Sequence, residues 1–539
     1  MKSKLDIILA QLNLVVGDIY GNSKKILKII DQQNTKQCDL IIFPELSLTG
    51  YCPEDLLFNS DFYDQCMNAL NNIRLATKNV AVVLGHPWKK KKKIYNALSF
   101  FWKKKRLAIY YKQKLPNYGL FDEKRYFCSG NKTCVTFFKN YKIGFLICED
   151  VWHTNLVDNV KKHGANIIIV INASPYNYKK YNLRLKLLKS HCRRINLPII
   201  YLNLVGGQDE LIFDGNSIIL NSKGDITHKL SVFKEEILKC TFQNYEPIFK
   251  FKKIKSIFLI SEIYKGLVFA TSEYVRKNGF SRVVLGISGG IDSALTAAIA
   301  VDALNKENVH AVMMPFKYTS RKSIRYAVML SKMLGIRLDI INITSIYNIF
   351  IKLMMPTFSH KKKDITEENL QSRCRSVILM SISNKNKSLV LTCNNKSELS
   401  IGYTTIYGDM AGGFSVLKDV SKTLVYKLAK YRNKLSRVIP KGIINRMPTA
   451  ELFYRQKDYD SLPKYNVLDS ILKGYIEKNQ SMNELLVRGF NIKAIKKIVE
   501  LIRKSEYKRY QSAIGPTITT KNLSKDRRYP VTYKFKYYD

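Results

Sequence analysis

A chain of 539 residues, 46% of them hydrophobic, is too long for one core and calls for two or more domains. Its ten cysteines form no C-x-x-C pair and keep no regular spacing, which argues against a zinc ribbon or a secreted disulfide scaffold and for a reducing compartment, the cytoplasm. The net charge of +46 is mostly lysine spread along the whole length of a chain rich in Ile, Asn and Tyr, all A/T-rich codons; arginine and aromatics do not gather around the short runs at 89–93 and 361–363, so solvated lysine faces explain it better than a nucleic-acid surface.

The first ten residues imitate an export signal, but Asp6, Gln11 and Asn13 interrupt the apolar stretch and no small-residue cleavage site follows. A β-strand is predicted there instead. No apolar run approaches the ~18 residues of a membrane-spanning helix. Further strands are predicted over 40–43, 80–84, 143–147 and 167–171, and helices over 22–33 and 183–195, an α/β pattern that closes near 245. Residues 244–255, rich in Lys and Phe, read as a linker. The expected division is a first domain over 1–245, a linker over 246–261 and a second domain over 262–539. Three polar residues stand out in the first domain. Glu45 and Cys148 each follow a predicted strand, and Lys112 lies in Tyr110-Tyr111-Lys112-Gln113-Lys114-Leu115-Pro116. Strand ends are where polar groups converge at the rim of an α/β sheet. A thiol beside a carboxylate base and a cation makes a workable nucleophile, although nothing in the composition joins the three.

The second domain opens with a predicted helix over 262–277 and a buried strand over 281–285. The strand leads into Gly286-Ile287-Ser288-Gly289-Gly290-Ile291-Asp292-Ser293 and a helix over 294–300. A Gly- and Ser-rich strand–helix turn aims backbone N–H groups at one point, where the helix dipole also favours an anion, so it reads as a pyrophosphate cradle. Met313-Met314-Pro315 ends another strand, and the charged stretch 359–367 reads as a loop. A helix predicted to begin at Glu368 brings Asn369, Arg373 and Gln371 toward one face. The strand 389–393 leads to Asn394-Asn395-Lys396-Ser397-Glu398, and Glu398 across a sheet rim from Asp292 suits a Mg²⁺ shared with nucleotide phosphates.

Pro44-Glu45-Leu46, Lys112 and Ile147-Cys148-Glu149-Asp150-Val151-Trp152 resemble the Glu–Lys–Cys signature of the nitrilase (carbon–nitrogen hydrolase) superfamily, closest to its glutamine-amidase branch. The resemblance implies an αββα sandwich in which Cys148 is the nucleophile, Glu45 the general base and Lys112 the oxyanion stabiliser. Lys114 competes by proximity, and the family spacing to Leu115-Pro116 favours Lys112. Glu123 resembles an additional site glutamate of many nitrilases. Glutamine recognition maps to Tyr118, Ser174 and Lys180, with Lys179 standing where the family carries Gly.

The second half resembles the NAD⁺ synthetase family of N-type ATP pyrophosphatases, in the form fused to a nitrilase-like half. Supporting pieces are residues 417–426, Pro448-Thr449-Ala450-Glu451-Leu452, the pattern from Gln456 to Pro463, Tyr507-Lys508-Arg509 and Arg527-Arg528-Tyr529-Pro530. This resemblance implies a Rossmann-like domain with a parallel sheet. ATP contacts map to Gly286, Ile287, Ser288, Gly289, Gly290, Ile291, Asp292, Ser293 and Cys393. Deamido-NAD⁺ contacts map to Asn369, Glu398 and Lys508, Mg²⁺ ligation to Asp292 and Glu398, and a phosphate contact to Lys422. Cys393 stands where the family carries Thr, and Asn394 where it carries Gly. The implied reaction takes ammonia from glutamine at Cys148, adenylates deamido-NAD⁺ with ATP, and displaces AMP with the ammonia; a passage for ammonia between the domains is implied as well. A homo-oligomer is expected, without a membrane or nucleic-acid partner. The rivals are another glutamine-dependent ATP-pyrophosphatase amidotransferase, a nucleic-acid-binding or thiolating protein on the same ATP loop, and a non-catalytic relative. The Glu–Lys–Cys half argues against the first.

Overall fold

The computed structural model describes residues 4–35, 38–249, 258–359, 361–449, 451–454 and 462–535. The chain divides into two compact units, Met1–Ser256 and Ile257–Asp539.

In the first unit, β1 (Lys4–Gln11), β2 (Leu40–Ile42) and β3 (Ala81–Lys90) pair in parallel, with α1 (Ile19–Asn34) and α2 (Ser60–Ala76) as crossovers. β4 (Lys93–Trp102) and β5 (Lys105–Tyr111) then fold back as antiparallel hairpins. The lysine run 89–93 is the β3–β4 turn, where Lys90 pairs with Lys93 and the ammonium groups stay in solvent. After the short α3 (Glu123–Tyr126), a second sheet forms from β6 (Val135–Phe138), β7 (Tyr141–Ile147), β8 (Ile167–Asn172) and β9 (Ile199–Asn203). It is covered by α4 (Thr154–Lys162) and α5 (Lys180–Ile195). A hairpin of β10 (Val205–Gln208) and β11 (Leu211–Asp214) precedes β12 (Ile218–Leu220) and β13 (Ile226–Lys229). β14 (Glu236–Gln243) and β15 (Glu246–Pro247) return to the first sheet beside β1. The strand orders are β15-β14-β1-β2-β3-β4-β5 and β13-β12-β9-β8-β7-β6.

The period-2 alternation of the strands builds the layers. Leu5, Ile7 and Leu9 of β1 join Ile143, Phe145 and Ile147 of β7 in the core between the two sheets. Ile8 and Ala10 of β1 point the other way, against Ile26 and Ile30 of α1 and Leu70 and Ile73 of α2. Helix, sheet, sheet and helix thus stack as the expected αββα sandwich. α1 starts at Ile19, earlier than the apolar periodicity indicates, because Asp18 accepts the Gly21 N–H at 2.8 Å and caps the end. β4, β5, β6 and β9 to β15 were not anticipated from sequence.

In the second unit, α6 (Leu259–Lys277) precedes β16 (Val283–Gly286), α7 (Ile291–Leu304), β17 (Val309–Met313), α8 (Arg321–Leu334) and β18 (Arg337–Ile340). α9 (Thr344–Phe358) and α10 (Ile365–Asn386) lead to β19 (Leu389–Thr392), α11 (Lys396–Ile401), β20 (Phe414–Ser415) and α12 (Lys422–Leu435). α13 (Lys441–Ile444), α14 (Tyr465–Leu472), α15 (Met482–Val487), α16 (Ile492–Lys504) and α17 (Glu506–Tyr510) complete the unit. The sheet is parallel throughout, in the order β18-β17-β16-β19-β20. The chain runs from β16 outward to β18 and then crosses to β19 on the other side of β16. The crevice beyond the carboxyl ends of β16 and β19 is therefore the topological switch point, where open α/β sheets bind ligands. The loop expected over 359–367 is shorter in the structure. Asp364 and Glu367 form a capping box that starts α10 at Ile365. Gln456, Asp458 and Ser461 lie outside the described residues.

Candidate active site

The first unit gathers its polar residues at the carboxyl ends of β2, β5 and β7. Lys112 follows β5 and is fully buried; its Nζ lies 2.7 Å from Glu45 Oε1 and 2.7 Å from Glu123 Oε1. Burial alone opposes the lysine's charge, but the Glu123 and Glu45 carboxylates hold it as an ammonium, its pKa well above the usual lysine range. Glu45 also accepts hydrogen bonds from Asn96 Nδ2 and from the Ala173 N–H, each at 2.8 Å, so both its oxygens are fixed. Glu123 accepts from Tyr51 Oη at 2.8 Å, and burial pushes its pKa up to about 7.

Cys148 is the residue directly after β7, with φ +45, a left-handed backbone that turns the chain sharply into a 3₁₀ turn over Cys148–Trp152. Two residues on, buried Asp150 accepts the backbone N–H groups of Gln113 (3.1 Å) and Lys114 (2.8 Å), the Tyr110 hydroxyl (2.8 Å) and the Ile147 N–H (3.1 Å). One carboxylate therefore ties the cysteine turn to the segment carrying Lys112. Burial, with the Glu45 carboxylate nearby, pushes the Cys148 thiol well above its usual range, while Lys112 opposes the shift. The resting group is the thiol, so its proton must be taken as it attacks. Lys114 is half-buried and joins the cluster through its backbone.

The expected glutamine contacts surround this cluster. Tyr118 is half-exposed and donates from Oη to Glu149 Oε2 at 3.0 Å. Ser174 is buried beside Ala173, and its N–H donates to Asn203 Oδ1 at 2.9 Å. Lys180 lies 4.4 Å over the Trp152 ring, and burial draws its pKa down. Asn96 and Tyr51 have no sequence signal of their own, and Asp150 stands in the Cys148 motif with no role assigned to it there.

The second unit opens a cavity of about 420 Å³ at the switch point. Gly286, Ile287, Ser288, Gly290, Ile291, Asp292 and Ser293 line it, together with Cys393, Asn369, Glu398, Lys422 and Lys508. Gly289 lies behind this wall, with φ +77 and so close to the Ser323 backbone that an added Cβ would sit 2.4 Å from its carbonyl oxygen. The Gly290 N–H donates to Ser288 Oγ at 3.2 Å, and Ser293 Oγ donates to the Gly290 carbonyl at 3.2 Å. These bonds hold the cradle closed on itself. Cys393 Sγ lies 3.9 Å from the Gly286 carbonyl, and burial pushes its thiol up to about 12, so it presents an uncharged surface.

Lys422, at the start of α12, places Nζ 2.5 Å from Asp292 Oδ2 and 3.0 Å from Glu398 Oε1. Asn395 Nδ2 donates to the other Asp292 oxygen at 2.9 Å. The residues of this short stretch divide the work. Lys396 points away, buried against Asp419 (2.8 Å) and Glu477 (3.0 Å), and donates to Thr519 Oγ1 at 2.9 Å. Asp419 accepts the N–H groups of Ile518 (2.8 Å) and Thr519 (2.7 Å), clasping that late segment to the cavity floor. Ser397 Oγ accepts the Lys422 N–H at 2.9 Å and is bonded to Asp469.

α10 turns Glu368, Asn369, Ser372, Arg375, Ser376 and Leu379 to the cavity. Arg373 and Gln371, expected there, turn aside and donate to the carbonyls of Ile406 (3.3 Å) and Leu452 (2.9 Å). At about 100° per residue the cavity face centres near 372 and 379, which leaves both at its flanks. Arg375 was not anticipated. Its Nε donates to the Met314 carbonyl at 3.0 Å, and burial draws its pKa down to about 10. Asn369 Oδ1 accepts from Thr405 Oγ1 at 2.8 Å, and Lys508 Nζ donates to the carbonyls of Gly402 (2.9 Å) and Thr404 (2.7 Å).

Residues 7–245 match the carbon–nitrogen hydrolase family model and residues 263–512 the NAD synthase model. The chain is 44% identical to the glutamine-dependent NAD(+) synthetase of Acinetobacter baylyi over 538 residues, 98% of each chain. It is 43% identical to that of Aquifex aeolicus over 568 residues, 98% of this chain and all of the relative. The structure of glutamine-dependent NAD⁺ synthetase from Acinetobacter baumannii in complex with ADP superposes with a TM-score of 0.81 at 42% identity, covering 98% of both chains. With both family models matched in order and relatives this similar along its whole length, the chain belongs to the glutamine-dependent NAD(+) synthetases.

Proposed function

We propose that this chain amidates deamido-NAD⁺ to NAD⁺, driven by ATP and with glutamine as nitrogen donor. The observation that carries the reading is one chain holding both a buried Glu45–Lys112–Cys148 cluster and a Gly-Ser cradle faced by two carboxylates. In the first unit Cys148 Sγ attacks the glutamine side-chain carbonyl as its proton passes to Glu45. Lys112 stabilises the oxyanion, and Glu45 hands the proton to the departing ammonia. Water then cleaves the thioester to glutamate. Tyr118, Ser174 and Lys180 hold the rest of the glutamine.

In the second unit the nicotinate carboxylate attacks the α-phosphorus of ATP. Pyrophosphate leaves into the N–H groups and hydroxyls of the Gly286–Ser293 loop, and ammonia displaces AMP from the acyl adenylate. Cys393 packs against ATP, while Asn369, Glu398 and Lys508 face the dinucleotide. Asp292 and Glu398 fit a Mg²⁺ ion, because they already converge on one cationic point, the Lys422 ammonium. Bound there with the phosphates, Mg²⁺ supplies charge neutralisation for the leaving pyrophosphate. The domain bounds 1–245 and 262–539 with a linker over 246–261, a cytoplasmic location and a homo-oligomer complete the reading. No helix among the described residues is long and apolar enough to cross a membrane. The exposed apolar side chains of Leu353 and Met355 support self-association.

Cys148→Ala is expected to abolish glutamine-supported NAD⁺ formation and to leave ammonia-supported formation intact, and Asp292→Ala to remove both. Steady-state assays with each nitrogen source check this. Normal glutamine use by the Cys148→Ala protein would sink the first assignment.

A further inference from the structure

Asp292 and Glu398 belong to the first turns of different helices, α7 and α11, yet both reach the same ammonium. Lys422 Nζ is buried between them. Its backbone is pinned, with its N–H donated to Ser397 Oγ at 2.9 Å and the next N–H, that of Thr423, donated to Asp469 Oδ2 at 2.8 Å. Only the long unbranched side chain is left to move. Among the described residues no group of three or more His, Cys, Asp or Glu side chains could hold a metal ion. Two carboxylates fill only part of the six or more oxygen positions of a hard divalent cation, and the phosphates of a nucleotide are the natural source of further ligands.

We propose that Lys422 guards the metal site: its ammonium occupies the point where a divalent cation fits between Asp292 and Glu398, so the protein takes up the cation only together with nucleotide phosphates. The inference rests on the assignment of those two carboxylates to the metal. The charges explain the exchange. Two carboxylates and one ammonium leave a single negative charge, too little to draw in a free divalent ion that must also displace the lysine. An arriving triphosphate adds several negative charges and a new acceptor for the ammonium. The lysine then swings to the phosphates, and the cation takes its place between the carboxylates.

The test is Mn²⁺ binding to the full chain, followed by electron paramagnetic resonance without nucleotide and then with α,β-methylene-ATP. Wild type is expected to bind Mn²⁺ weakly alone and tightly with the analogue. Lys422→Met should gain a nucleotide-free site at least about tenfold tighter. That site should vanish in Lys422→Met/Asp292→Asn and stay closed in Lys422→Arg, which keeps the charge. Mn²⁺ should also raise the melting temperature of Lys422→Met, and not that of wild type, which shows in the same protein that the variant is folded. Equal nucleotide-free Mn²⁺ binding by wild type and Lys422→Met overturns the guard while leaving the carboxylate assignment standing. Absence of any Asp292-dependent Mn²⁺ site, even with the analogue, overturns the carboxylate assignment and the guard with it.

Discussion

Glu45 and Glu123 share one ammonium, and the two carboxylates are not equivalent. Both oxygens of Glu45 are held, whereas Glu123 Oε2 is buried without a hydrogen-bond partner among the described residues. A buried oxygen of that kind is a natural seat for a proton, which agrees with the shift of Glu123 to about 7 from an ordinary 4.5. The folded protein then keeps, between these two values, a proton that the unfolded chain has released. Stability from this group falls as pH rises through that window. Buried Asp150, pushed up to about 6, titrates in the same direction, so thermal melting between pH 4.5 and 7 should show a smaller fall in Glu123→Gln than in wild type. Asn96 offers a second test at this scale. Removing its bond to Glu45 forfeits a charge-assisted hydrogen bond of about 1.5–3 kcal/mol. Asn96→Ala should therefore lower glutaminase kcat/KM by roughly 10- to 100-fold, with ammonia-supported NAD⁺ formation unchanged.

Among the elements, the close approaches of two glycines fix the sites. An added Cβ on Gly85, in β3, would stand 2.5 Å from the Pro44 carbonyl and 2.7 Å from Glu45 Cα. Gly85→Ala should displace Glu45 and depress glutamine-supported turnover more than ammonia-supported turnover. Gly289→Ala adds a side chain to a left-handed residue already against the Ser323 backbone. It should cost about 1–3 kcal/mol and weaken ATP binding, which melting and calorimetry measure together. The strands that carry Glu45, Cys148 and the Gly286–Ser293 loop were legible because each is a short apolar run closed by a polar residue or by a Gly-Ser turn. The β4–β5 hairpin was not, since its lysines and aromatics mask the alternation. With it went Asn96, which meets Lys112 only through strand pairing, its carbonyl accepting the Lys112 N–H at 2.9 Å. Arg375 was missed for a different reason. Two arginines two residues apart on a helix look alike in sequence, and only the packing of α10 decides which one faces the cavity.

At the scale of the whole molecule, the charge of +46 comes mostly from lysines spread along the chain, and stretches such as the β3–β4 turn leave theirs exposed. Binding to duplex DNA or RNA is expected to be weaker than roughly micromolar at physiological salt and to vanish steeply as salt rises; a titration at two ionic strengths checks this. The clasp of Asp419 and Lys396 on Ile518 and Thr519 bears on how the protein is made. A ribosome that has delivered Lys508 has delivered every residue of the cavity wall but only the Lys396 and Asp419 half of the clasp. Through that interval the nascent chain already carries its whole glutamine-cutting unit, while the floor beneath Asn395 and Glu398 is unfastened. A premature stop between 510 and 517 would therefore release a chain that spends glutamine and makes no NAD⁺.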